Sequence, residues 1–186
     1  SRTFYRAIGA SSMHDVMSAG QAGYIDYGFL GAAQIDTYGN LNTTVIGPHK
    51  RPTVRLPGSG GAADIGSIAW ETIIIMNQDA RRFLPTLDFL TTPGFLDGPE
   101  ALSRAGFPAE TGPYRVISQL GMYDFEEETM RMRLIAVHPG VKVEEALAAS
   151  GFELLVAGEV AETVPPTEEQ KRIMHELDPA GLILGR

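Results

Sequence analysis

Gly31-Ala-Ala-Gln-Ile-Asp36 runs into a polar turn, Tyr38-Gly-Asn40-Leu-Asn42, and Gly58-Ser-Gly-Gly-Ala-Ala-Asp64 then opens an expected helix. A glycine loop at a helix start leaves backbone N–H groups unpaired and free of side-chain cover. Such groups can face a carboxylate, a phosphate, or the oxyanion that forms when a thioester is attacked. Alone, Gly58-Ser-Gly-Gly reads as a tight turn, because it lacks the Lys-Ser/Thr of a nucleotide-triphosphate loop and the spacing of a dinucleotide fingerprint. The two blocks in succession point instead to the wall of an anion-binding active site.

Other reactive side chains narrow the chemistry. Ser59 has no adjacent histidine base and no aspartate in triad order, which argues against a serine hydrolase. His14, His49, His138 and His175 contain no pair at ligand spacing, so no metal site is expected, and His138 reads as a structural histidine. Asp36 and Asp64 flank the proposed site, yet each stands where an aspartate bonds backbone N–H groups of a turn or first helical turn. Gln34, Asn40 and Asn42 offer uncharged amides that suit either a substrate carboxylate or the turn itself, with the turn preferred. Glu71 reads as an edge charge and Glu126–Glu128 as a hairpin tip.

The elements that would hold these residues follow from periodicity and punctuation. Ser12-Met-His-Asp15 has the form of a capping box, so a short helix starts there, with Gly20 as its stop. The continuous apolar run from Tyr24 to Gln34 predicts a strand buried on both faces. Leu41–Ile46 predicts a short strand, residues 48–57 an irregular basic segment, and residues 62–70 a helix. Thr72–Met76 and Leu87–Thr91 predict two more strands. The Gly/Pro-rich stretch 93–113 predicts a long surface excursion. Tyr114–Phe125 and Met130–Val137 predict an antiparallel hairpin, because Met130-Arg-Met-Arg-Leu alternates apolar with basic. Val143–Ala149 predicts a helix stopped by Gly151, Phe152–Val156 a strand, and Thr167-Glu-Glu-Gln170 the cap of a last helix with Ile173, Met174 and Leu177 on one face. Strands separated by helices define an α/β fold.

Composition sets the outer limits. With 186 residues, 44% of them hydrophobic, the chain can bury a real core and fits one domain, 1–186. Fifteen basic against 23 acidic residues give a net charge of −8, which argues against nucleic acid as partner. Zero cysteines exclude disulfides and a thiolate nucleophile within these residues and fit a cytoplasmic location. No apolar run reaches membrane-spanning length, and Ser1–Ile8 carries two arginines without the apolar core of a signal peptide.

The motifs resemble the second, β subunit of the glutaconate CoA-transferase group within the family I acyl-CoA transferases. The resemblance rests on Gly31-Ala-Ala-Gln-Ile-Asp-Thr-Tyr-Gly-Asn-Leu-Asn-Thr-Thr-Val-Ile-Gly47, Arg55-Leu-Pro-Gly-Ser-Gly-Gly-Ala62, Arg81-Arg82-Phe83, Thr91-Thr-Pro-Gly94, Gly112-Pro-Tyr-Arg-Val-Ile117 and His138-Pro-Gly140. It implies a layered fold with a mixed, mostly parallel sheet flanked by helices. It implies an α subunit as partner in a hetero-oligomer, and a coenzyme A thioester as substrate rather than a permanently bound cofactor. By resemblance, the backbone amides of Gly60 and Gly61 become the oxyanion donors. Gln34, Asn40, Asn42 and Ser59 become candidate substrate contacts, and Lys50, Arg51 and Arg55 candidate partners for the coenzyme A phosphates. The family's nucleophilic glutamate lies upstream of the Gly-Ala-Ala-Gln block, in a region this sequence does not contain. The chain is therefore expected to be the C-terminal portion of such a subunit. Three functions stay open at this point: CoA transfer to a small dicarboxylic acid such as glutaconate, hydrolysis or decarboxylation of acyl-CoA on the same fold, and a non-catalytic scaffold.

Overall fold

The computed structural model describes residues 7–108 and 110–182; the basic stretch 1–6 lies outside them. In chain order the elements are α1 (Met13–Gln21), β1 (Tyr27–Leu30), β2 (Gln34–Ile35), β3 (Leu41–Asn42), β4 (Val45–Ile46), β5 (Val54–Arg55), α2 (Ala62–Ile68), β6 (Glu71–Ile75), α3 (Ala101–Arg104), β7 (Gly112–Ile117), β8 (Gly121–Phe125), β9 (Met132–Val137), α4 (Val143–Ala148), β10 (Leu155–Glu162) and α5 (Glu168–Leu177). Six strands form one sheet in the order β1-β6-β7-β8-β9-β10. The pairs β1–β6, β6–β7 and β9–β10 are parallel, while β7–β8 and β8–β9 are antiparallel. This is the α/β fold expected from the residue pattern, with the mixed, mostly parallel sheet that the resemblance implied.

Both capping boxes form. Ser12 Oγ accepts from Asp15 N at 3.1 Å and the Asp15 carboxylate takes the Ser12 N–H at 3.4 Å. Thr167 and Gln170 repeat the arrangement at α5. Gly20, expected as the stop of α1, lies inside the helix, and its missing side chain lets Ile68 approach; a Cβ there would sit 2.7 Å from Ile68 Cδ1. The chain reverses at Gly23, whose φ is +81°.

The first strand differs from its expected form. Only Tyr27–Leu30 is extended, it lies at the sheet edge, and its burial alternates: Gly28 and Leu30 point into the core while Tyr27 and Phe29 are 49% and 63% exposed. Gln34 and Ile35 belong to a separate two-stranded ribbon with β3. On the inner face α2 lies directly on Gly28, where a Cβ would stand 2.5 Å from Ile65 Cγ2. Ile75, on the same side as Phe29, is 53% exposed. One side of the parallel strands thus leaves Phe29 and Ile75 uncovered beside Glu71 and Arg115, against the usual rule for parallel sheets.

Leu87–Thr91 forms no strand. The Asp88 backbone N–H donates to Gln34 Oε1 at 3.2 Å and Gln34 Nε2 donates to the Asp88 carboxylate, so side-chain bonds replace a ladder there. The excursion 93–113 is pinned at its base: Gly94 N and Leu96 N both donate to Asn40 Oδ1. A Cβ on Gly94 would lie 2.3 Å from the Gly39 carbonyl carbon, so only glycine passes. The β8–β9 hairpin forms as expected and carries a paired Asp124–Arg133 across it, two bonds of 2.9 and 2.7 Å. Residues 114–125, however, split into two antiparallel strands rather than one arm. Gly151 acts as a close-approach residue, donating to Phe83 O at 2.8 Å, and Phe152 stacks on Phe83. The following strand consequently begins at Leu155, later than expected. The core gathers around Ile35, Leu41, Ile74, Phe83, Tyr123 and Leu134.

Candidate functional site

The carboxyl end of β1 passes directly into Gly31, and there the structure opens. Residues 31–33 on one side and 56–59 on the other, with Thr43 and Ala62 between them, enclose a cleft of about 360 Å³. Clefts outside the carboxyl ends of parallel strands are where α/β sheets place ligands. The two sequence blocks that pointed to a site therefore meet in space.

Thr43 fixes the glycine loop. Gly58 N donates to Thr43 O at 2.9 Å, and Thr43 Oγ1 donates back to Gly58 O at 2.9 Å. Thr43 N in turn donates to Thr91 Oγ1 at 3.0 Å. Beyond this clamp Ala62 N donates to Ser59 O at 2.8 Å and closes a turn, but the backbone amides of Ser59, Gly60 and Gly61 have no acceptor among the described residues. Gly58 and Gly60 take φ of +95° and +50°, conformations that side-chain-bearing residues rarely adopt. Gly61 is the N-cap of α2 with an ordinary φ of −90°.

The loop is also a partition. Ser59 and Gly58 line the 360 Å³ cleft, whereas Gly60 and Gly61 line a second one of about 440 Å³ with Met13, His14, Met17 and Asp64. Asp64 is exposed there and no bond from its carboxylate to the first helical turn forms. Lys50, Arg51 and Arg55 sit apart from both clefts, exposed on or beside the β4–β5 ribbon, and make no ion pair with any described residue. His49 stacks on Phe89 at 5.1 Å.

The amides expected as substrate contacts point elsewhere. Asn42 is fully buried; its Nδ2 donates to Gln34 Oε1 and Val45 O, both at 2.6 Å, and its Oδ1 accepts from Thr44 N and Val45 N. Asn40 Nδ2 donates to Asp36 and to Leu96 O, while its Oδ1 accepts from Gly94 N and Leu96 N. Gln34 is spent on Asp88 and Asn42. Asn40 and Asn42 thus use all four of their hydrogen-bonding positions inside the protein, and only Ser59 of the expected substrate contacts reaches the cleft. The sequence motif contained the missing member: Thr43 follows Asn42, and only the fold reveals that it holds Gly58.

Asp36 closes the turn. Its Oδ1 accepts from Tyr38 N at 2.9 Å and Asn40 N at 3.0 Å. Burial nevertheless holds the carboxyl above its ordinary value, outweighing the bonds from Asn40 and Tyr38 that pull it down. A carboxyl with a raised folded pKa stabilises the fold fully below its unfolded value, and this contribution is lost as pH rises through the folded pKa. Comparing wild type with Asp36→Asn by urea unfolding across pH should therefore show the wild type's relative stability falling as pH climbs from about 3.5, then levelling. A difference that stays flat, or rises with pH, would contradict it.

His138 is saturated. A carbonyl only accepts, so Nε2–H donates to Ser118 O at 2.8 Å, and Nδ1 accepts from the Thr163 hydroxyl at 2.8 Å. It is structural, as its sequence context indicated. Tyr123 and Ser118 both donate to Gln78 Oε1 beneath the sheet.

The architecture is an α/β sheet with a glycine-loop cleft at its strand ends, and comparison with known proteins gives the family. A coenzyme A transferase family model matches residues 1–149. The chain is 42% identical over 151 residues to the β subunit of glutaconate CoA-transferase from Acidaminococcus fermentans, covering 81% of this chain and 56% of that protein. It is 40% identical over 158 residues to the β subunit of 3-oxoadipate CoA-transferase from Pseudomonas knackmussii, covering 85% and 60%. The cholesterol ring-cleaving hydrolase IpdB subunit of Rhodococcus jostii is 29% identical, covering 90% and 64%. The crystal structure of the Acidaminococcus glutaconate coenzyme A-transferase superposes with a TM-score of 0.81 at 37% identity, covering 86% of this chain and 61% of that one. The chain belongs to the coenzyme A transferase family. It spans less than two thirds of the length of each of these relatives.

Proposed function

We propose that this chain forms one wall of the active site of a two-subunit CoA-transferase, which moves coenzyme A between an acyl-CoA donor and a small carboxylic acid such as glutaconate. The unpartnered amides of Ser59, at the strand-end cleft, and of Gly60 and Gly61, at the adjoining cleft across the loop, carry this reading. A glutamate carboxylate from polypeptide outside residues 1–186 attacks the thioester carbonyl, the coenzyme A thiolate leaves, and a mixed anhydride forms. The thiolate then attacks the glutamyl carbonyl, releasing the first acid and leaving a glutamyl thioester. In each attack negative charge grows on an acyl oxygen, and loop N–H groups at Gly60 and Gly61 stabilise it. Lys50, Arg51 and Arg55, exposed and without ion-pair partners among the described residues, attract the phosphates of coenzyme A.

Transfer is preferred to hydrolysis because identity is 42% and 40% to the relatives named as transferases against 29% to the one named as a hydrolase. The partner is an α subunit, and the uncovered side bearing Phe29 and Ile75, with the free edge of β1, needs polypeptide cover. No described helix is long and apolar enough to cross a membrane. The absence of cysteine fits work in the cytoplasm. Coenzyme A enters as substrate, with no permanently bound cofactor required by the chemistry.

The test is an assay of the assembled two-subunit enzyme with acetyl-CoA and glutaconate. It should exchange coenzyme A between the two acids without net release of free coenzyme A or carbon dioxide. Release of either product without exchange would assign the fold to another reaction.

A further inference from the structure

The 360 Å³ cleft carries no charged side chain on its lining. Of its two hydroxyls, Thr43 Oγ1 donates to Gly58 O, while Ser59 Oγ only accepts, from Ala63 N at 3.4 Å, and keeps its own hydrogen to donate. What remains toward a ligand is hydrocarbon from Ala33, Leu56 and Pro57, beside the unpartnered amide and the hydroxyl of Ser59, donors suited to a carbonyl oxygen. An uncharged aliphatic stretch within a few bonds of that carbonyl fits such a wall; a second carboxylate does not.

The two alanines at the mouth of β1 are not equivalent. Ala32 packs against the hydrophobic core cluster, so its methyl serves the fold. Ala33 lines the cleft, is outside that cluster, and has its backbone anchored by Ala33 N donating to Asn42 O at 3.0 Å. A larger side chain at position 33 therefore grows into the cleft from a fixed backbone rather than into the core.

Resting on the CoA-transferase reading above, we propose that Ala33 is a specificity-determining residue: it leaves the space in which the first carbons of the acyl chain lie, and its small size admits donors longer than acetyl-CoA. Any charged far end of a dicarboxylic substrate is held outside this wall.

The experiment compares kcat/KM for acetyl-CoA and butyryl-CoA as donors in the assembled two-subunit enzyme carrying wild-type chain, Ala33→Val, Ala33→Leu or Ala33→Gly. A methylene in an apolar pocket is worth about 10- to 200-fold in discrimination. Ala33→Leu should therefore lower the butyryl-to-acetyl ratio by about tenfold or more, Ala33→Val should lower it less, and Ala33→Gly should leave it unchanged or raise it. The valine and glycine variants keep the test valid if leucine prevents folding. Exchange that survives with an unchanged ratio across the series overturns the inference, as does an equal loss for both donors, which would place the coenzyme A arm there instead. Absence of exchange in the wild-type enzyme with acetyl-CoA would overturn the transferase reading itself, so the two failures are distinct.

Discussion

Gly60→Val in the assembled enzyme should lower the rate of coenzyme A exchange by about 10²–10³-fold, the usual cost of a lost oxyanion donor. The cause is backbone conformation. Gly60 has φ +50°, and a Cβ built there meets no heavy atom within 4 Å, so the branch point of a valine side chain has open space. Valine does suffer the left-handed penalty of about 1–2 kcal/mol, larger for a β-branched side chain. Because the Ser59, Gly60 and Gly61 amides bond nothing, the turn between the Thr43 clamp and Ala62 relieves that strain by rotating its peptides, and the N–H groups then turn away from the reacting oxygen. Thermal stability should drop by only about 2–8 °C. Gly140→Val supplies the control, because Gly140 has φ +83° and equally open surroundings but lies far along the chain, after β9. It should show the same loss of stability with exchange intact. Equal rates in the two variants would remove the loop from the mechanism. Gly61 is a poorer place for the test than its sequence position indicates: its φ is ordinary, and an added Cβ would meet Met17 Cε at 2.9 Å, which mixes packing with catalysis.

Local punctuation was the legible part of this sequence. The capping boxes at Ser12 and Thr167, the start of α2 at Ala62, and the β8–β9 hairpin all rest on neighbours a few residues apart, where side chains and backbone meet regardless of tertiary context. The edge position of β1 was not legible. Tyr24 to Leu30 is apolar enough for a buried strand, and nothing local tells Phe29 that its side of the sheet lacks cover. Gln34 and Asn42 show the same limit for the site. An amide beside a glycine-rich block suits a substrate or a scaffold equally well, and the choice is made by Asp88, 54 residues away, and by the carbonyl of Val45. Likewise Gly58-Ser-Gly-Gly reads as one feature in the sequence. In the fold it divides two clefts, because the positive φ at Gly58 and again at Gly60 turns the chain twice within three residues.

That scaffold role makes Asn42 the most consequential single side chain near the cleft. Asn42→Ala should destabilise the protein by about 3 kcal/mol, since the Val45 carbonyl and the Thr44 N–H lose their partner at a buried side chain and Gln34 Oε1 keeps only the Asp88 N–H. The effect should pass to activity through Thr43, the next residue, whose carbonyl and hydroxyl hold Gly58 against the β3–β4 turn while its N–H is tied to Thr91 Oγ1. Asn42→Asp separates the donors from the acceptor. An aspartate still accepts from Thr44 N and Val45 N, but it sets a carboxylate against two oxygens that Asn42 Nδ2 satisfied at 2.6 Å. Protonation restores one donor and removes the buried charge, so Asn42→Asp should be less destabilised at acid pH than at neutral pH, relative to wild type. Chemical denaturation at two pH values, with exchange measured on the folded fraction, reads both consequences. A variant as stable as wild type at neutral pH would mean that the bonds among Gln34, Asn42 and Val45 do not hold this turn. The glycine loop would then need some other anchor than Thr43.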